Sequence, residues 1–314
     1  MERENRRTYS DHREPPEGGR GFFSSANSGP DIFRAAVFFT ALLFTAACST
    51  VPKRPAETFK LRNMAESQLD LANKEADRGN YETALVLLDD ARRVAVSVDD
   101  PSLRIRTGLS RGNVLFSLGR GEEASGAWET AFQEAETMGR RDLSALCRIH
   151  IARGRLLSAA GDTAGAQAVR EEVSREIGFL KSGDYYTAFG WIVTGLADKG
   201  LGRYGEAEEA VKKALEIHEK GRYLEQAAYD WFLIASIRSV AGQYPAAQEA
   251  LDAAIALDRR AENSWGLAAD WRALGDVFKK AGDAAAAGSA YRRSAEIFRS
   301  LGMDDAAAEA EGRS

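Results

Sequence analysis

The chain has 314 residues, 44% hydrophobic and 28% charged, with 42 basic against 47 acidic residues and a formal net charge of −5. That is globular composition, long enough for one extended array or two compact domains. Basic and acidic residues alternate along the chain, which excludes the basic stripe of a nucleic-acid binder.

Residues 1–34 are polar, rich in Arg, Glu, Gly, Ser and Pro, and are expected to be a disordered leader. Residues 35–47, AAVFFTALLFTAA, carry no charge, with Arg34 before them and Cys48 after. As helix the run spans about 20 Å, short of the roughly 30 Å apolar core of a bilayer. A positive residue, a short apolar run and small residues before a cleavage point predict a secretory signal.

The ending TAAC resembles the lipobox of bacterial lipoproteins, although Thr45 stands where that family usually has Leu. The resemblance implies lipidation of Cys48, with residues 1–47 removed. Residues 48–57 would then form the lipidated Cys and a tether. Ser49 after the Cys implies delivery to the outer membrane, facing the periplasm. Acyl chains contribute about 0.8 kcal/mol per buried methylene, so two or more hold stably.

From residue 58 the chain repeats. Glycines recur at Gly79, Gly119, Gly161, Gly202, Gly242 and Gly282, spaced by 40, 42, 41, 40 and 40. Five residues after each stands Ala: Ala84, Ala124, Ala166, Ala207, Ala247 and Ala287. Seven before each stands Ala72, Gly112, Gly154, Gly195, Ala235 or Gly275. Small residues let two helix axes approach to the lower end of the usual 8–10 Å. The intervening Gly supplies a left-handed turn between the helices. Nine residues after it a bulky side chain recurs (Leu88, Trp128, Val211, Leu251, Tyr291), with Arg170 breaking the pattern.

The spacing predicts first helices near 58–77, 101–117, 142–159, 184–200, 223–240 and 264–280. Second helices are predicted near 81–97, 121–138, 163–180, 204–219, 244–260 and 284–301. Residues 303–314 are expected to fray, with no long capping helix to cover the end of the array.

GNYETALVLLDDA, GRYGEAEEAVKKALEI and GQYPAAQEALDAAIAL resemble the turn and second helix of tetratricopeptide repeats. Trp191, Trp231 and Trp271 fall where that family has its first-helix aromatic; the first three repeats have Gln68, Gly108 and His150 there. The resemblance covers about residues 57–302. It implies an all-α fold, a right-handed α-solenoid of about six helix-turn-helix repeats, 58–302. The period near 40 residues exceeds the family's usual 34.

The resemblance also implies a concave groove lined by first helices, binding a peptide or a partner's helix. Register relative to the Gly marker puts Asn73, Arg106, Asn113, Arg148, Arg155, Phe189, Tyr229 and Phe232 there. The asparagines would bond a ligand's backbone, the arginines a carboxylate, and the aromatics an apolar anchor. The groove is expected to be Arg/Asn-rich in its N-terminal half and aromatic in its C-terminal half.

No catalytic constellation emerges. Cys147 and His150 sit three apart on one helix and are expected to be separately packed core residues. His218 is expected to serve the dipole at a helix end. No metal or cofactor is expected. The expected protein is a non-enzymatic interaction scaffold, lipid-anchored in the bacterial envelope, possessing another envelope protein as partner and no nucleic acid. The alternatives are a periplasmic carrier of small or hydrophobic ligands, and a cytosolic regulator.

Overall fold

The computed structural model describes residues 59–159 and 161–313. Six antiparallel helix pairs follow one another. They are α1 (Lys60–Asp77) with α2 (Tyr81–Ser97), α3 (Pro101–Ser117) with α4 (Gly121–Thr137), and α5 (Arg141–Ser158) with α6 (Thr163–Glu176). Then come α7 (Tyr185–Gly200) with α8 (Tyr204–Gly221), α9 (Leu224–Val240) with α10 (Tyr244–Arg260), and α11 (Ser264–Ala281) with α12 (Ala284–Ser300). A short helix, α13 (Asp304–Glu311), closes the series, and no strand occurs among the described residues. This is an all-α repeat solenoid, and the helices start and stop within a few residues of the sequence-based positions.

The punctuation works by the expected physics. All six marker glycines hold positive φ; Gly282 at 88° directly caps α11. Helix starts use side-chain oxygens: Asp100, Asp184, Asn263 and Asp283 each accept from the backbone N–H three residues on. The six second-helix alanines are buried. The small first-helix residues receive the bulky ones. A Cβ on Gly275 would lie 2.5 Å from Tyr291 Cε1, and one on Gly195 would lie 2.6 Å from Val211 Cγ2. Trp128 is the largest such wedge. It lies between Gly112 and Gly154, where added Cβ atoms would meet its ring at 2.2 and 2.4 Å. Its Nε1–H donates to Leu109 O at 3.2 Å.

Two expectations are corrected. Helix α6 ends at Glu176 and tightens into a 3-10 turn, Ile177–Phe179, instead of running to 180. Ile177 packs over Gly190 of the next first helix. The tail does not fray over 304–311. Ala307 and Ala310, three apart, bury against Ala295 and Phe298, and ion pairs Arg299–Glu311 (2.6 Å) and Arg272–Glu309 (3.1 Å) hold the outer side. That short helix covers an end face that a repeat stack otherwise leaves bare. The expectations for residues 1–57, lipidation of Cys48 included, concern residues outside those described.

Candidate binding site on the inner helices

First helices α3, α5, α7, α9 and α11 each pack their own second helix and that of the preceding repeat, and they meet one another as an inner layer. Contacts α3–α5, α5–α7 and α9–α11 run directly along this layer. Burial follows: nearly the whole of α7 and α9 is covered, whereas α2, α4 and α6 bury one stripe.

The eight residues named from register land at different depths. Asn73, Arg106, Asn113, Phe189, Tyr229 and Phe232 are buried. Asn113 Oδ1 lies 3.2 Å from His150 Nδ1, and the Phe189 ring is 4.4 Å from the His150 ring. Tyr229 stacks on Phe232 at 6.2 Å. Arg148 and Arg155 are half exposed, but both reach to α6. Arg148 pairs with Glu176 at 3.2 Å and lies over the Phe132 ring, and Arg155 pairs with Glu172. Phe189 and Tyr229 are turned into the core, and Phe232, equally buried, lines an open recess. An Arg/Asn half facing an aromatic half therefore does not describe the exposed surface.

What the inner layer does expose is a recess of about 670 Å³. It is formed along the ends of α5, α7, α9 and α11, and of the eight register residues only Phe232 lines it. Much of its lining is apolar, from Leu156, Leu196, Phe232, Ala235 and Val277. Its lining also carries charged and hydroxyl groups. Lys199 Nζ donates to Ser236 Oγ at 2.8 Å, and Lys280 Nζ donates to Ser239 Oγ at 3.1 Å. Asp276, also lining it, accepts from Tyr291 Oη–H at 2.8 Å and pairs with Arg313 at 3.1 Å. Burial and that bond push the Tyr291 phenol well above its ordinary range. Arg106 and Asn113 line a second, much smaller hollow of about 10 Å³ beside His150 and Tyr186.

Sequence reasoning missed two polar devices. His218 and Asp230 are both fully buried, with Nδ1 2.6 Å from Oδ2. The acid on the next first helix, 12 residues on, was the available signal for a partner other than the helix dipole. Arg170, the exception in the bulky register, reaches across to buried Asp198 at 2.5 Å, so a charge-assisted bond replaces a packed side chain there. His150 is held neutral: burial, and then Arg153 nearby, lower its pKa to about 3. Burial pushes the Cys147 thiol up to about 12, so at neutral pH it stays a thiol rather than a nucleophilic thiolate. Among the described residues no cluster of three or more His, Cys, Asp or Glu side chains is arranged to hold a metal. Among them also no helix is long and apolar enough to cross a membrane.

The helix-pair arrangement recurs in solved structures. This chain is similar to a Rap protein complexed with Competence and Sporulation Factor, at 19% identity over 80% of this chain and 73% of that one, with a TM-score of 0.55. It is similar to the apo form of RapI, at 12% identity over 79% and 86%, TM-score 0.54. It is also similar to BtubC (BKLC) from P. vanneervenii, at 18% identity over 78% and 93%, TM-score 0.50. No family model matches the sequence, and no curated protein matches it. The likeness is one of fold: a tetratricopeptide-like solenoid.

Proposed function

We propose that the protein is a non-enzymatic interaction scaffold whose inner helices bind a peptide or a helix of another protein. The observation that carries this is the recess along α5, α7, α9 and α11, lined by both apolar and polar side chains. Buried anchors within a polar rim are the usual anatomy of a binding surface. The inert Cys147 thiol and neutral, buried His150 agree with a role outside catalysis. One of the structural neighbours is complexed with a factor named for competence and sporulation, which fits a binding use of this fold.

The sequence around Cys48 supports placing the scaffold at the bacterial envelope. Lipid attachment at Cys48 would anchor it at the outer membrane, facing the periplasm, with residues 48–57 as a tether and the array as the binding module in assembly of an envelope complex. Acyl-label incorporation and globomycin-sensitive processing test the anchor; Cys48→Ala should abolish both. Crosslinked co-purification from membranes, read by mass spectrometry, tests the scaffold reading. Recovery of one envelope protein only with an intact recess is the expected result, and capture unaffected by changes at Phe232 and Val277 would count against it. A second reading, a carrier of a small hydrophobic ligand, is favoured by the apolar part of the lining. Native mass spectrometry finding a bound small molecule would select it.

A further inference from the structure

The two ends of the array differ. At the C-terminal end α13 covers the last helix pair. At the N-terminal end α1 packs on one side only, where Ala65, Leu69, Ala72 and Ala76 bury into the core shared with α2. Every later first helix also packs the second helix of the repeat before it. Among the described residues no helix precedes α1. Counted from the Gly marker, Leu71 corresponds to Thr194, Ile234 and Leu274 of the last three repeats, all buried. Met64 corresponds to Leu146, Thr187 and Ala227 of repeats three to five, also buried. Yet Leu71 and Met64 are 45% and 44% exposed, with Leu61 beside them at 51%. The face is one that later repeats close with a helix, and here it is open.

We infer that this face joins α1 of a second copy of the chain, antiparallel, across a two-fold axis. Lys60, Met64, Gln68, Leu71 and Glu75 follow at steps of four, four, three and four, which makes one stripe of the helix. Reversed, the stripe is complementary to itself. With the axis between Ser67 and Gln68, Met64 of each copy faces Leu71 of the other, and Lys60 faces Glu75. A parallel pair would set like charges together instead. Arg78 and Asn80 already hold the Glu75 carboxylate, at 2.8 and 2.7 Å, and it has room for a further donor. The two Gln68 side chains come within one residue rise, about 1.5 Å, along the axis. Gln68 Oε1 has no hydrogen-bond partner among the described residues. Turned outward, it accepts from the N–H of the other carboxamide. Because α13 covers the far end, the open end has nothing like it to stack on, so association closes at two copies and forms no fibre. One helix pair is a small interface, and the dimer dissociates on dilution. The inference goes beyond the scaffold reading and does not depend on it.

Sedimentation velocity of the full-length chain over a range of concentrations tests it. Every sample carries Cys48→Ala, which removes association through that thiol or an acyl chain. A monomer–dimer equilibrium without larger species is expected. Leu71→Glu, at an exposed position, should raise the dissociation constant by about tenfold or more. Lys60→Glu should raise it about threefold, and Lys60→Glu/Glu75→Lys should restore it, since the charges are exchanged and not lost. If Glu75→Lys disturbs the turn that Glu75 holds, crosslinking carries the comparison. Gln68→Cys, beside the axis, should form a disulfide dimer under mild oxidation, and Ser125→Cys, exposed on α4, should not. A dimer indifferent to Leu71→Glu, or equal crosslinking at the two positions, overturns the assignment to α1. A chain that stays monomeric throughout overturns it as well. If that monomer sediments with phosphatidylglycerol vesicles and Leu71→Glu abolishes this, the face belongs to a lipid surface.

Discussion

In the N-terminal half the inner-face side chains pair with one another. Asn113 meets His150, Phe189 of the next repeat lies on the same imidazole, and beside Asn113 and His150 only about 10 Å³ is left open. In the C-terminal half α9 and α11 carry Ser236, Ser239, Asp276 and Lys280, and together with the ends of α5 and α7 they leave about 670 Å³ open. The frame is the same in both halves: Gly marker, small first-helix residue, buried second-helix Ala. The difference is therefore one of side-chain volume at a few inner positions. A repeat fold fixes the backbone with one set of residues and leaves another set to decide whether the inner surface is filled or hollow.

The halves also lock their helix pairs differently, and Trp128 gives the largest lever on that contrast. Its indole fills the space over Gly112 and Gly154, so one side chain joins α3, α4 and α5. Trp128→Ala leaves two glycine faces without a partner. The expected loss is about 3–5 kcal/mol, the range for deleting a large buried aromatic. Because each repeat contacts mainly its neighbours, the loss should stay local. A circular-dichroism melt should split into two transitions. Hydrogen exchange should rise in α3–α5 and leave α9–α12 unchanged; a uniform rise would show that the halves do not unfold separately.

The C-terminal half has no such wedge at α8–α9 but a polar lock, His218 with Asp230 at 2.6 Å and no exposure of either. Removing one member of a buried pair leaves the other desolvated. Asp230→Ala is expected to cost about 3 kcal/mol, and Asp230→Asn distinctly less, because the amide oxygen still accepts from an imidazole N–H. Urea midpoints of the two variants measure this. Equal destabilisation would mean that packing, not the polar contact, is what the site supplies.

The contrast explains what could be read in advance. Helix positions and pairing were legible because they depend on residues with a local meaning: Gly282 must adopt positive φ, Asp100 caps α3, Pro101 begins it, and Ala247 leaves room for α9. The exposed inner surface was much less legible. Register alone put Phe189 and Arg155 in one groove. In the structure the Phe189 ring is buried against His150, while Arg155 pairs with Glu172. Which way a first-helix side chain faces depends on the neighbouring repeat, 28–40 residues away, and no local pattern carries that. Lys199 and Lys280 lie 81 positions apart in sequence, and only their shared contacts with α9 bring them into one site.

The filled half should respond to pH through His150. Burial lowers its pKa from the ordinary 6.5 to about 3, so the folded protein holds it neutral. The unfolded chain takes up a proton near 6.5, and the folded one does so only near 3. Between those values the unfolded state binds more protons, so stability falls as pH is lowered through this window, by at most about 1.4 kcal/mol per pH unit from this group. Urea unfolding from pH 7 to 4 should therefore show a steeper decline in the native protein than in His150→Gln, which is neutral throughout. Parallel curves would remove His150 as the cause.

The smallest expected effect concerns the links between repeats. Gly139, Gly183 and Gly302 adopt positive φ there, but Asp99, Arg222 and Glu262 occupy the same conformation with side chains. A left-handed conformation costs a non-glycine residue about 1–2 kcal/mol, and glycine loses some of that advantage through its more flexible unfolded chain. Glu262 has φ of 55° and an exposed side chain, so little else is at stake. Glu262→Gly is expected to stabilise the protein by about 0.5–1 kcal/mol, and Gly302→Ala, at φ 72°, to destabilise it by a similar or larger amount. Thermal melts of the pair resolve the two signs. If both variants destabilise, the link at Glu262 is held by its side chain and not merely tolerated, and the two classes of link are not equivalent.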